Sequence, residues 1–344
     1  MKLRDFVIRR VILAIPVIFG VITIVWFLSH VIADPVVMYI NDNTPASAIE
    51  GIREQHGFND PLYVQYFLYI LNLFKGDWGI STSASYNPVL EVIAKKLPAT
   101  IELSIFAMII AIALGIPLGI VSATRKDEPV DHATRVFSLA GVSMPIFWFA
   151  LMLKYVFFYW LAINGLPHLP GDKRYNPVVF RDFDYVTRFL LIDSLLFAHN
   201  IRLFVDALLH LIMPAFCLGY LTLAIITRMM RSSMLEVLRE DYITLARSKG
   251  LSERVVIYKH ALRNALIPTV TVIGLAFGSL ITGAVLTESI FSWPGLGRWA
   301  TGAILTSDMA AITGFTLLVA LIFVSANLIV DLVYGALDPR IRYG

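Results

Sequence analysis

Residues 101–123 read IELSIFAMIIAIALGIPLGIVSA, an apolar run whose only charge, Glu102, stands at its start. At 1.5 Å per residue a helix of this length reaches across roughly 30 Å of hydrocarbon. Inside a bilayer no water satisfies the backbone, so a spanning segment is a helix or a strand of a closed barrel. A barrel strand needs only about ten residues, and this run is far longer. Five more runs of spanning length follow the same logic, at 11–32, 136–163, 208–226, 266–290 and 310–333. The expected fold is an all-α integral membrane protein with six transmembrane helices. A shorter run at 189–198 carries Asp193 and is followed by His199, Asn200, Arg202 and Asp206, which fits an interfacial or re-entrant segment.

Composition agrees. Of 344 residues 58% are hydrophobic and 15% charged, against about 25% charged in a soluble domain. The lone cysteine, Cys217, excludes an intrachain disulfide and a cysteine-based metal site. A net charge of +3 gives no footprint for nucleic acid, so the expected surroundings are the lipid bilayer of the cell membrane. Residues 1–20 begin basic and turn apolar like a secretory signal, yet the run continues to Ile32 without a small-residue cleavage site and predicts a retained helix.

Lys and Arg beside the helix ends set the orientation. Lys2, Arg4, Arg9 and Arg10 precede the first run, Arg125, Lys126 and Arg135 follow the second, and eight basic residues from Arg228 to Arg263 lie between the fourth and fifth. Alternating crossings put all of these on one side, predicted to be cytoplasmic together with both termini. Gly115 and Gly119, and Gly274 and Gly278, fall at four-residue spacing that suits close helix packing. Pro117 and Pro145 are expected to kink their helices.

Several chemistries lack their signatures. Gly-Lys never occurs, so there is no GxxxxGK[ST] phosphate loop; HExxH and GxSxG are also absent. The seven histidines are scattered near helix ends. No catalytic residue, metal ligand or cofactor-binding residue is expected, and the chain is read as a non-enzyme. Lys154 is the clearest ionisable group inside a predicted span: it either lines a pathway or snorkels toward the headgroups. Glu102, Glu288, Asp308 and Asp331 stand near predicted helix ends and read as structural.

The most patterned polar stretch is 231–268, RSSMLEVLREDYITLARSKGLSERVVIYKHALRNALIP. Leu235, Leu238, Tyr242 and Leu245 recur at helical spacing and predict one apolar face. Gly250 permits a left-handed turn, Ser252 is placed to cap a second short helix, and Pro268 stands near the start of the fifth span. Helix, glycine turn, helix is the expected design. On periodicity alone it is either a basic, membrane-hugging connection or a docking segment.

The stretch from Asp241 to Gly250, DYITLARSKG, with HALRNALIP at 260–268, resembles the cytoplasmic loop of peptide and nickel ABC importer permeases. GDWGIS at 76–81, LPAT at 97–100, FSWPGLG at 291–297 and LDPRIRYG at 337–344 extend the similarity over nearly the whole chain. The long first external connection makes it similar to the B-type permease of the dipeptide, oligopeptide and nickel importer family. Against the broader importer pattern EAAxxxG, anchored on Gly250, only Ala246 agrees, with Thr244 and Leu245 at the first two positions and Leu262-Arg263 at a later Leu-Pro position. The segment 172–206 is longer and more charged than the family expectation.

The resemblance implies a type I ABC importer permease fold with three parts: residues 1–98 (first helix and external connection), 99–335 (permease core, with an ATPase-coupling loop at about 231–265) and 336–344 (cytoplasmic tail). It places Asp241, Tyr242, Ala246, Arg247, Lys249 and Gly250 in the coupling loop. It also implies a second, C-type permease, two cytoplasmic ATPases that bind ATP and Mg, and an extracytoplasmic solute-binding protein. The cargo would be dipeptides or oligopeptides, with oligosaccharides or nickel as alternatives. The rivals from other classes are an intramembrane enzyme, for which no facing nucleophile and base are found, and an ion-coupled transporter, for which only Lys154 speaks.

Overall fold

The computed structural model describes residues 3–32, 34–40, 44–180 and 183–337. The helices in chain order are α1 (Leu3–Phe27, continued by a wide turn Leu28–Ile32), α2 (Ala46–Gln55), α3 (Leu62–Lys75), α4 (Val89–Thr124), α5 (Pro129–Ser143) and α6 (Ile146–Ile163). They are followed by α7 (Ile201–Val237), α8 (Asp241–Ser248), α9 (Glu253–Ile290), α10 (Leu296–Leu305) and α11 (Met309–Leu337). Six helices among the described residues are long and apolar enough to span: Val7–Val31 within α1, then α4, α6, α7, α9 and Met309–Ile329 within α11. All six expected crossings are present. The C-terminal motif at 338–344 lies outside the described residues, as does the side chain of Asp331.

Local chemistry explains the boundaries. Asn200 caps α7, its side-chain oxygen accepting from the amides of Arg202 and Leu203, both at 3.1 Å. Gly76 ends α3 in the left-handed conformation, with φ +84°. Pro145 does more than kink the third run: Met144 is extended, with ψ 130°, and the run splits into α5 and α6. The residue before a proline is pushed out of the helical region, and Pro145 then starts the next helix. Pro117, by contrast, sits within a continuous α4. The run at 189–198 forms only a short helix, Leu190–Ile192, and a wide turn, Asp193–Phe197.

The chain forms two compact units, residues 1–100 with 294–344 and residues 101–293. In the first, a two-stranded antiparallel hairpin pairs Ile80 with Pro88 and Ser81 with Asn87. Asp308 ties it down. One carboxylate oxygen accepts from Ser81 Oγ, Ser83 N and Ser83 Oγ at 2.7–2.8 Å, and the other from Ala311 N at 3.0 Å, capping α11. Val89, Val92 and Ile93 pack there with Leu296, Trp299, Ala303, Ala310 and Ala311.

In the second unit α7 is central: its most apolar window is 72% buried, against 11% for α6. Glycines let α4 approach it. A Cβ on Gly119 would fall 2.6 Å from Met230 Cβ, and one on Gly219 only 2.5 Å from the Ala107 carbonyl oxygen, a backbone atom that cannot yield. The four-residue glycine spacing read in 115–119 thus serves helix packing.

Candidate functional site

The patterned stretch 231–268 holds one short helix, not two. α7 continues to Val237, residues 238–240 turn, α8 runs from Asp241 to Ser248, and Gly250 takes φ +74° as the turn reading expected. Ser252 occupies the N-cap position in extended geometry without a side-chain cap bond. The following helix merges through a wide turn at Val256–Ala261 into the fifth span, so Pro268 lies inside α9. The 238–240 turn also resets the helical phase. Leu235 and Leu238 pack inward, whereas the buried face of α8 is Ile243 and Ala246, set against Met230, Met234, Val256, Ala261 and Ala265. Tyr242 and Leu245, expected to share one apolar face with Leu235 and Leu238, are 38% and 55% exposed.

α8 is therefore a short platform, gripped from beneath and apolar on top. Asp241 stands exposed at its start, and Arg247 and Lys249 at its end, each sign next to the helix pole that favours it. Arg247 Nε meets Glu253 Oε1 at 2.9 Å, and Asn264 Nδ2 donates to Tyr242 Oη at 2.7 Å, so both contacts tie α8 to the start of α9. Of the six residues expected in this segment, Ala246 is buried and Asp241, Tyr242, Arg247, Lys249 and Gly250 are exposed.

On the same unit, Asp131 in the first turn of α5 is fully buried and accepts from Arg231 Nε at 2.7 Å and Nη2 at 2.8 Å, from Ser122 Oγ, and from Asp127 N at 3.0 Å. The Arg231 guanidinium foremost, with the Ser122 and Asp127 donors opposing the desolvation of burial, holds this carboxyl well below the usual carboxylate range. The pair joins residues 100 positions apart, which no local pattern announces.

Lys154 is half-buried near the middle of α6. Its ammonium donates to Asp172 at 2.7 Å and to the Ile290 carbonyl at 3.1 Å. A second cation went unread in the sequence. Arg174 is buried between the rings of Trp293 and Tyr185, at 5.5 and 5.7 Å, and pairs with buried Glu102. The other Glu102 oxygen accepts from Leu191 N at 2.9 Å. Burial pushes the Tyr185 phenol up to about 12. Asp193 closes the same segment by accepting from the amides of Val186, Thr187 and Arg188 and from Thr187 Oγ1. Within 172–206, Asp172 and Arg174 thus tie the insert to spanning helices, and Asp193 folds it on itself. Among the described residues no group of three or more His, Cys, Asp or Glu is placed to hold a metal.

Comparison with known proteins agrees with this architecture. The family described as "Binding-protein-dependent transport system inner membrane component" matches residues 115–343, and its N-terminal counterpart matches 3–104. A dipeptide transport system permease of Alkalihalophilus pseudofirmus is 44% identical over 339 residues, covering 98% of this chain and 99% of the relative. A dipeptide transport system permease of Escherichia coli K12 is 43% identical, again with 98% and 99% coverage, and an oligopeptide transport system permease of Bacillus subtilis 168 is 37% identical at the same coverage. Six spans and an inner-membrane family make this a multi-pass protein of the cytoplasmic membrane. Such subunits form the passage and are not enzymes; ATP is hydrolysed on separate chains. With both matches covering nearly its whole length, the chain belongs to the family of inner membrane components of binding-protein-dependent transport systems, the permease subunits of ABC importers.

Proposed function

We propose that this chain is the B-type permease of a peptide importer: with a C-type permease it encloses a pathway for dipeptides or oligopeptides, fed by an extracytoplasmic solute-binding protein. Two cytoplasmic ATPases, which bind ATP and Mg, drive it. Whole-length similarity to permeases named for dipeptides and oligopeptides supports the substrate class. The observation that carries the mechanism is α8, whose exposed Tyr242 and Leu245 offer an apolar foot with charges at both ends. Ile243 and Ala246 fix that foot to the cluster built by α7 and α9, so a push on α8 is delivered to two long spans and not absorbed by a slack loop. For Lys154, the Asp172 and Ile290 partners favour anchoring the insert over lining the pathway.

Orientation follows the basic clusters, which put α8 in the cytoplasm. A reporter cysteine at Lys249 should stay unlabelled by an impermeant reagent in intact cells and react in inverted vesicles. Labelling in intact cells would overturn both the orientation and the docking role.

The coupling role is tested at Gly250. Nothing lies within 4 Å of a Cβ built there, so a substitution acts only through the positive φ. Valine in that conformation costs about 1 to 2 kcal/mol and tilts α8 off its docking geometry. In the reconstituted five-subunit complex, Gly250→Val should assemble normally yet lose most ATP-driven uptake of a labelled dipeptide, with Gly250→Ala milder. Full uptake and full substrate-stimulated ATP hydrolysis in Gly250→Val would end the proposal. Uptake of nickel or an oligosaccharide, with none of peptide, would overturn the substrate class alone.

A further inference from the structure

We propose that α3 is an interfacial helix whose outward face contacts membrane lipid, at the junction of acyl chains and headgroups. Its polarity is the reverse of a water-exposed helix, which buries its apolar stripe and shows its polar one. Gln65 points inward and donates to the carbonyls of Phe58 and Asp60 at 2.9 and 2.7 Å. Tyr63, Phe67, Leu71 and Phe74, spaced four, four and three residues, form one outward stripe, 75%, 61%, 36% and 77% exposed. Lys75 is the only charged residue in the helix.

Depth identifies what covers that stripe. Tyr66 Oη meets Thr23 Oγ1 at 2.6 Å, and the Tyr66 ring stands edge-on to Trp26 at 5.0 Å. Thr23 lies eight residues inside the end of the apolar window Val7–Val31, a depth of about 12 Å. Toward its other end, Tyr69 and Leu73 line a small cavity with Thr313, Gly314 and Leu317, which lie four to eight residues into α11, about 6 to 12 Å from its start. Both anchor points sit below the ends of spanning helices, so α3 lies across α1 and α11 at headgroup-to-acyl depth. Ile24 and Phe27, in the same end of α1, are exposed apolar side chains as well. Tyrosine is favoured at that depth, and Phe and Leu are side chains that an interfacial helix turns toward the acyl chains. The proposed orientation decides only which leaflet is involved.

The test uses the assembled importer in nanodiscs of phosphatidylethanolamine and phosphatidylglycerol. Phe67→Cys and Phe74→Cys, each with Cys217→Ala, carry a nitroxide whose collisions with oxygen and with a neutral nickel chelate are compared. Preparations that keep the buried Cys217 serve if the alanine variant does not fold. At both positions oxygen collisions should exceed nickel collisions several-fold, and brominated lipid should quench a fluorophore at Phe67→Cys. Nickel collisions equal to or above oxygen would mean water faces the stripe. Low collision rates with both, and no quenching, would mean a protein subunit covers it. Either result overturns the proposal.

Discussion

Replacing Asp131 with alanine should lower the stability of the chain in detergent by about 3 kcal/mol, the low end for breaking a buried pair, because Arg231 is 20% exposed and keeps some water. The carboxylate receives donors from α4, α7 and the turn before α5, so its loss strands several polar groups at once. Asp131→Asn keeps the shape and should cost less. The pH dependence distinguishes charge from packing. A carboxyl held below its ordinary value stabilises fully above the usual carboxylate range, about pH 4, and that contribution drains as pH falls toward the lowered value. Melting of the parent should therefore drop faster than that of Asp131→Asn as pH is lowered below about 4. Equal melting of parent and alanine variant at pH 7 would show that the pair contributes nothing.

Arg174→Met should loosen the segment between α6 and α7 by a comparable amount, about 3 to 5 kcal/mol. Glu102 and Arg174 are each only 5% exposed, so removing the cation leaves a carboxylate buried in a spanning helix with the Leu191 amide as its remaining donor among the described residues. The pair is not ideal, since Arg174 Nε is buried without an acceptor among the described residues. A hydrophobic replacement of both partners should then recover much of the loss: Glu102→Leu with Arg174→Met is expected to outperform Arg174→Met alone. Amide hydrogen exchange at 186–194 reports it directly, through the bonds to Asp193. A double variant as labile as the single one would assign the effect to lost stacking on Trp293 and Tyr185 instead.

The contrast between these pairs and the coupling segment shows where sequence reading stops. Six crossings, the left-handed Gly250 and the close-packing glycines of α4 were legible because each follows from a local property: run length, a missing Cβ, or a four-residue spacing. The face of α8 was not. Tyr242 and Leu245 continue the period of Leu235 and Leu238, but a turn at 238–240 shifts the phase, and a helical period survives only while the helix does. The second short helix failed for a related reason: a serine in cap position and a proline further on mark a start only if the chain breaks there, and packing on Met230 and Met234 carries the helix through.

Hydrocarbon accepts little besides long apolar helices, so residue composition and run length alone were enough for the class and the number of spans. Which charges would meet was a different matter. Asp131 with Arg231, Glu102 with Arg174, and Lys154 with Asp172 are joined across 100, 72 and 18 residues, and each cation has several carboxylates of equal local merit. A partner is selected by how the helices pack and by the cost of burying an unpaired charge, and neither quantity exists until the tertiary fold has formed.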